Sequence, residues 1–341
     1  MSLRKISKYR DVWMGIAILW VVLFHCQFNV GNGIIKGIKY MGYGGVDIFL
    51  FASGIGCFCS LEKEGDCFNF IKRRVKRIIP TYWVFLIVWS IYSVILNAMS
   101  WNAILGNFLC VRNFTGLNGE FNWYISGMWL MYFLAPFLKG VVDRINSGWK
   151  FVTVLSMLLL LTVCFWESNT YIITISRIPI FFVGMQVGKM ICEDKVLSRK
   201  EMISLMIGTV VGTFLLCYCV LKKPDFLQRN ACYWYPFILI TPGLCLMISV
   251  MMELLKKCFG TFIEEKLSIP GKYSFEIYLL HIWFYEILEK RLIANGIVDN
   301  KISVWIITVL LLVPACFILR QITVNVVKII NKMLKNEKVN I

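Results

Sequence analysis

The sequence predicts an all-α fold, a polytopic transmembrane helix bundle of about ten spans with the N-terminus and the C-terminus in the cytoplasm. Of its 341 residues, 58% are hydrophobic and only 16% are charged, whereas an average soluble domain carries about 25% charged residues. A soluble chain of this length would lack the polar surface to cover so many apolar side chains. The excess apolar surface is therefore expected to face lipid.

Ten apolar stretches are close to the about 20 residues that a helix needs to cross a bilayer. They lie at residues 12–28, 43–60, 78–98, 123–141, 150–166, 173–191, 202–221, 234–253, 273–290 and 302–326. A further stretch, 101–111, is apolar but short, which predicts a re-entrant or interfacial segment. No soluble appendage or low-complexity linker separates the stretches, so residues 1–341 are predicted to form one membrane domain.

The distribution of lysine and arginine predicts the orientation. With the N-terminus inside, the inner segments hold 26 of the 36 basic residues, a bias described by the positive-inside rule. Ten spans then return the basic C-terminal segment to the same side. The formal charge of +16 could indicate a nucleic-acid partner, but the basic residues lie between long apolar runs, where they contact anionic headgroups. The expected partner is membrane lipid, and no nucleic acid.

The chain has only two histidines, and both fall within predicted spans, where ionisable side chains are costly and commonly functional. His25 lies near the outer end of the first span, and Asp47 lies at a similar depth in the second. A His25–Asp47 pair would fix the imidazole tautomer while the other ring nitrogen accepts a proton from an attacking hydroxyl. The alternative fits equally well: His25 bonds a backbone carbonyl, and Asp47 caps its helix or bonds Ser53.

His281 lies in the ninth span, about 12 Å from the inner end at 1.5 Å per residue. Glu276, five residues earlier, falls on a different face of that helix. Both are candidates for substrate contact, and a structural polar contact between helices fits them at least as well. Two isolated histidines without an HxxxH or ExxH pattern predict no metal site.

A basic run precedes the third span and contains Arg73, Arg74 and Arg77. Arg74 and Arg77 are three residues apart and would project together from a helix, where two guanidinium groups could bind phosphate bidentately. With Arg73 they are candidates for binding a nucleotide-bearing acyl carrier. A stop-transfer anchor on anionic lipid would use the same residues.

Arg177 opens the sixth span on the outer side. A single arginine at that position could snorkel to the headgroups, or it could hold an anionic substrate. Its place at the end of a span favours snorkelling.

Seven short motifs follow one another along residues 9–287. They are Gly15-Ile16-Ala17, Val21 to His25, Gly44 to Gly54 with Asp47, Arg73 to Pro80, Trp123 to Pro136, Arg177 to Gly184, and Gly271 to His281. In this order they resemble the membrane-bound acyltransferase family 3. Each motif alone is weak, whereas the ordered set is specific.

The resemblance implies a bundle of ten or more helices that transfers an acyl group, most often acetyl, from cytoplasmic acyl-CoA to a hydroxyl. The acceptor would be a cell-surface or lipid-linked glycan. His25 matches the family's catalytic histidine, which would act as base, and Arg74 and Arg77 match its paired arginines on the acyl-CoA side. Acyl-CoA is then a donor substrate, and no bound cofactor is expected. A bacterial plasma membrane is the compatible location, and self-association is left open.

Two positions depart from the family pattern. The family often has arginine or lysine eleven residues before the histidine, where this chain has Met14, and glutamate in the fourth-helix block, where it has Met128. Arg10, one turn before Met14, is a candidate source of the missing cation. Because His25 and Asp47 remain, a divergent active enzyme is favoured over an inactive one.

Two other functions are compatible with such a bundle. One is a transporter or flippase of a lipid-linked glycan, and the other is a catalytically silent family member that assists assembly. Transporters commonly have broken helices at corresponding positions of two repeats, and this sequence shows no such repeat. The alternative of a catalytically silent member stays open because methionines occupy positions 14 and 128.

Overall fold

The computed structural model describes residues 2–27, 31, 33–95, 100–114, 123–165, 169–229, 232–293, 295–298 and 300–337. Within these ranges it contains sixteen α-helices and no β-strand. The helices are α1 (Arg4–Lys8), α2 (Arg10–His25), α3 (Gly33–Tyr40), α4 (Gly44–Glu64), α5 (Cys67–Ile95), α6 (Trp101–Phe108), α7 (Trp123–Asp143), α8 (Gly148–Leu161), α9 (Asn169–Ile175), α10 (Ile178–Cys192), α11 (Arg199–Lys222), α12 (Asp225–Arg229), α13 (Pro236–Phe259), α14 (Phe262–Lys272), α15 (Ser274–Leu288) and α16 (Lys301–Glu337). The predicted all-α polytopic bundle is confirmed.

Nine of the ten predicted spans fall on one helix each, and the sixth, 173–191, covers the end of α9 and most of α10. The predicted span ends at residues 28, 96–98 and 166 lie outside the described residues. Among the described residues, seven segments are long and apolar enough to cross a membrane. Helices α2, α8 and α15 have 16, 14 and 15 residues, fewer than the about 20 residues that a full crossing needs. The count of ten spans and the cytoplasmic location of the termini therefore stay predictions. The short stretch 101–111 forms α6, which is separate from these ten helices.

Several helix ends differ from the predicted ones. Helix α2 ends at His25 because Cys26 adopts an extended conformation, so the imidazole lies at the helix terminus. Helix α10 begins at Ile178, with Pro179 in its first turn, where proline has no amide hydrogen to leave unpaired. Helix α16 continues to Glu337 rather than ending at residue 326. The apolar stretch ends first, and the polar turns that follow it are also helical.

Two close helix pairs position the candidate site. Helix α4 packs along α10, where a Cβ atom on Gly184 would collide with the carbonyl oxygen of Phe51. Helix α2 packs along α14, where a Cβ atom on Gly15 would collide with the carbonyl oxygen of Leu267. Small residues allow backbones to approach this closely in membrane bundles. These contacts fix α2 and α4, which carry His25 and Asp47.

Ionic contacts join several predicted cytoplasmic segments at one face. Arg4 forms an ion pair with Asp194, and Lys5 forms one with Glu253. Lys189 Nζ donates to the carbonyl oxygens of Val142 and Ile145 at 3.1 Å each. The N-terminal helix, the α7–α8 connection and the α10–α11 connection thus lie together.

Candidate functional site

The two histidines of the chain are in direct contact. His281 Nε2 lies 3.2 Å from His25 Nδ1, and the ring centroids are 4.9 Å apart. His281 is buried in the middle of α15, whereas His25 is half-buried at the end of α2. The sequence placed each histidine within a span and did not pair them, because the packing of α2 against α15 is a tertiary contact.

Backbone carbonyls define the tautomers of the pair. His281 Nδ1 lies 3.0 Å from the Ile277 carbonyl oxygen and 2.8 Å from that of Tyr278, so Nδ1 carries the hydrogen and Nε2 is an acceptor. His25 Nδ1 lies 2.9 Å from the Val21 carbonyl oxygen and must be the donor to both Val21 and His281. The lone pair of His25 is then on Nε2, the nitrogen free to accept a proton.

The predicted His25–Asp47 pair is wrong. Asp47 Oδ1 accepts a hydrogen bond from Arg177 Nε at 3.2 Å instead. The two predicted depths are compatible, but the faces differ: Gly45 lies against Ala17 of α2, and Asp47, two residues further on, points about 200° around α4 toward α10. The alternative for His25, a hydrogen bond to a backbone carbonyl, is the one found.

Snorkelling of Arg177 is also wrong. Its side chain is 3% exposed, and its partner Asp47 is 2% exposed. The guanidinium carbon lies 4.9 Å from the ring centroid of Trp123 and 4.4 Å from that of Trp234. Arg177 therefore points into the bundle between two indole rings, held by charge and by cation–π contact.

A separate cavity of about 800 Å³ contains the predicted arginine pair. Arg74 and Arg77 both line it, and Arg10 lies in the same wall. Arg74 Nη2 donates to the Gly56 carbonyl oxygen at 3.0 Å. Arg73 is not among the lining residues and donates to Ser60 Oγ at 3.2 Å. Projection of Arg74 and Arg77 to one side is thus observed, and the guess that Arg10 joins them is supported by its position.

Glu276 lies in the wall of the same cavity but is already paired. Its carboxylate accepts from Arg320 Nε at 2.8 Å and from Arg320 Nη2 at 3.2 Å. Arg320 also donates to the Lys272 carbonyl oxygen and lies over the Tyr273 ring. The interhelical structural contact considered for Glu276 is therefore present, and it joins α15 to α16.

Two tyrosines lie between the cavity and the histidines. Tyr124 and Tyr278 line the cavity, and their ring centroids are 4.9 Å apart. Tyr278 also contacts His281, with ring centroids 5.9 Å apart. Among the described residues the lining does not include His25 or His281. The cavity therefore stops one aromatic layer short of the histidine pair. Sequence reasoning missed Tyr278, although it is three residues before His281 and so on the same helix face.

Within the described ranges no three histidine, cysteine or carboxylate side chains come together to hold a metal ion.

Comparison of the sequence with protein-family models identifies the family of the chain. The family model described as an acyltransferase domain matches residues 8–321. The chain belongs to acyltransferase family 3. No curated protein and no solved structure matches the chain. Together with its long apolar helices, family membership makes the protein a membrane acyltransferase.

The two departures from the family pattern lie in the arginine-lined cavity. Met14 and Met128 both belong to its wall, and Met128 Sδ lies 3.7 Å from Ser53 Oγ. At these two positions the cavity thus has thioether groups, and Arg10 adds a guanidinium group one turn from Met14 on α2.

Proposed function

We propose that the protein transfers an acyl group, with acetyl as the favoured one, from cytoplasmic acyl-CoA to a hydroxyl of a cell-surface or lipid-linked glycan. The observation that carries this proposal is the arrangement along the bundle. The arginine-lined cavity ends at Tyr124 and Tyr278, and Tyr278 contacts His281, which in turn contacts His25, the histidine with an available nitrogen. A bacterial plasma membrane is the location that fits this reaction.

The charge of the cavity supports acyl-CoA as the donor. Five basic and two acidic residues line it, namely Arg10, Arg74, Arg77, Lys272, Arg320, Asp11 and Glu276. The excess positive charge suits the phosphate groups of coenzyme A, and arginine binds phosphate bidentately. The volume of about 800 Å³ also lies within the range of about 300–1,000 Å³ that is common for small-molecule sites.

The proposed route of the acyl chain to the base passes the Tyr124–Tyr278 contact. With the phosphates on Arg74 and Arg77, the thioester would reach the Tyr124–Tyr278 end of the cavity. In the structure these two rings are in contact, so the proposal requires them to separate when the acyl group passes. The glycan hydroxyl approaches from the side of His25.

His25 would act as the general base. Its Nε2 accepts the hydroxyl proton as the oxygen attacks the thioester carbonyl carbon, which forms the new C–O bond. Collapse of the tetrahedral intermediate breaks the C–S bond, and the proton held by His25 passes to the departing thiolate of coenzyme A. His281 acts as a positioning residue. Its Nε2 accepts a hydrogen bond from His25 Nδ1–H, which keeps the reactive lone pair on Nε2 of His25.

The test is transfer by the purified protein in lipid, supplied with radiolabelled acetyl-CoA and envelope glycans. We expect label on the glycan with the unchanged protein and a loss of about 10²–10⁴-fold with His25→Ala. Acetyl-CoA binding should persist in His25→Ala, since His25 is not among the cavity-lining residues. Unlabelled glycan throughout, with equal glycan export by both proteins, would instead support the transporter.

A further inference from the structure

A chain of aromatic contacts leads away from His25. His25 contacts Phe24, and Phe24 contacts Tyr43, with ring centroids 4.9 and 5.8 Å apart. Tyr43 contacts Tyr233 at 5.4 Å, and Tyr233 contacts Trp234 at 4.4 Å. These residues come from α2, from the turn before α4 and from the turn before α13, so only the tertiary structure brings them together.

The contacts continue through the buried arginine. Arg177 lies between Trp234 and Trp123, and Trp123 contacts Tyr124 with ring centroids 6.1 Å apart. Tyr124 contacts Tyr278, which returns the series to the histidines.

The contacts therefore close on themselves, and we call this set of residues the closed aromatic series. His25 and Arg177 are both members of this closed series.

Polar atoms of the closed aromatic series and of Asp47 lack partners among the described residues. They are Arg177 Nη1, Asp47 Oδ2, Trp234 Nε1 and the hydroxyl oxygen of Tyr43, all buried. Arg177, Asp47 and Trp234 are each at most 3% exposed. Since roughly 90% or more of buried polar groups in proteins have a hydrogen-bond partner, four such atoms beside one another indicate a ligand that bonds them.

The charge of this group selects the class of ligand. Arg177 and Asp47 neutralise each other, in contrast to the excess of positive charge in the arginine-lined cavity. The free atoms include donors, an acceptor carboxylate oxygen and a hydroxyl that can do either. A neutral ligand with several hydroxyl groups matches this set. The faces of Trp123 and Trp234 can pack against the apolar face of a sugar, as aromatic side chains do in small-molecule sites.

We propose that the closed aromatic series, together with Asp47, is the acceptor site and binds a neutral sugar residue with one hydroxyl directed at Nε2 of His25. This inference rests on the proposed acyl transfer and adds to it the residues that recognise the acceptor. The sugar would accept from Arg177 Nη1 and Trp234 Nε1 and donate to Asp47 Oδ2.

Two conservative variants test the site. Tyr43→Phe and Trp234→Phe each remove one unpartnered polar atom and keep an aromatic ring. Because a net hydrogen bond contributes about 0.5–1.5 kcal/mol, the apparent KM for envelope polysaccharide should rise about two- to tenfold in each. The KM for acetyl-CoA should not change in either variant. The melting temperature should not change in Tyr43→Phe, because the deleted hydroxyl has no partner among the described residues. Trp234→Phe also shortens the buried ring that contacts Arg177, so its melting temperature should fall.

Trp283→Phe is the matched control. Trp283 Nε1 is also buried without a partner among the described residues. The Trp283 indole packs on Phe85 and Tyr92 of α5 and is not a member of the closed aromatic series. Both KM values should stay as in the unchanged protein, while the fall in melting temperature measures the effect of replacing an indole by a phenyl ring outside the proposed site.

Direct binding separates this inference from the proposed function. Equilibrium dialysis with tritiated neutral oligosaccharides from the envelope should show weaker binding to Tyr43→Phe and Trp234→Phe than to the unchanged protein. Binding without any acyl transfer would refute the proposed function and keep the sugar site. Unchanged KM and binding in both variants would overturn the site, and stronger competition by methyl uronides than by neutral methyl glycosides would overturn its preference for a neutral sugar.

Discussion

The Tyr124–Tyr278 contact separates two regions, and each region has one pair of an arginine and a carboxylate. On the cavity side, Arg320 makes two hydrogen bonds to Glu276, and its side chain is 36% exposed. Arg320 also bonds a backbone carbonyl oxygen and lies over an aromatic ring. This pair is well partnered by the protein, which suits a contact that joins two helices.

On the histidine side, Arg177 and Asp47 share one hydrogen bond and are almost fully buried. Each retains a buried polar atom without a partner among the described residues. The same two charged groups therefore form a complete contact in one region and an incomplete one in the other. The difference teaches that burial of an ion pair says little by itself about function, whereas the hydrogen bonds that its atoms make distinguish a contact that joins two helices from one with polar atoms still able to bind.

The largest expected effect comes from removing one partner of the incomplete pair. Asp47→Ala leaves the Arg177 guanidinium buried without a counter-ion, which should cost about 3–5 kcal/mol of unfolding free energy. Glu276→Ala should cost less, about 1–2 kcal/mol, because Arg320 is 36% exposed and water screens its charge. Denaturant unfolding of both variants in one detergent measures the difference. A larger loss for Glu276→Ala would contradict the contrast between the regions.

The next effect concerns the positioning of His25. His281→Phe removes the acceptor for His25 Nδ1–H, so kcat should fall about 10- to 100-fold, less than for loss of a general base itself. His281→Gln should restore part of kcat, because its amide oxygen can accept the same hydrogen bond. The KM for acetyl-CoA should not change in either variant. Equal kcat for the glutamine and phenylalanine variants would show that His281 has only a packing role.

A smaller effect is expected for donor binding on the cavity side. Arg74→Ala should raise the Kd of coenzyme A about tenfold, since a hydrogen bond to a charged group contributes at least about 1.5 kcal/mol. Arg73→Ala is the matched control, because the adjacent arginine bonds Ser60 and is not among the lining residues. Isothermal titration with coenzyme A measures both. Equal affinities of the two variants would remove the role assigned to Arg74.

Much of the fold and part of the site could be predicted from local sequence signals. The spacing of Arg74 and Arg77 placed both in one cavity wall, because a helix of known pitch determines which residues share a side. The partners of Asp47 and Arg177 were predicted wrongly. Depth along a helix can be counted from the sequence, but the direction in which a side chain faces a neighbour depends on how the helices are rotated and packed.

By itself, the sequence determined that this protein is an all-α membrane bundle of acyltransferase family 3, because apolar length, charge bias and ordered motifs are properties of the chain. Only the tertiary structure decided that His25 pairs with His281, that Arg177 turns inward to Asp47, and that two tyrosines separate the histidines from the arginine-lined cavity. The physical reason is that each of these contacts joins helices far apart in the chain. Their geometry is set by close packing at residues such as Gly45 and Gly184 rather than by any local pattern.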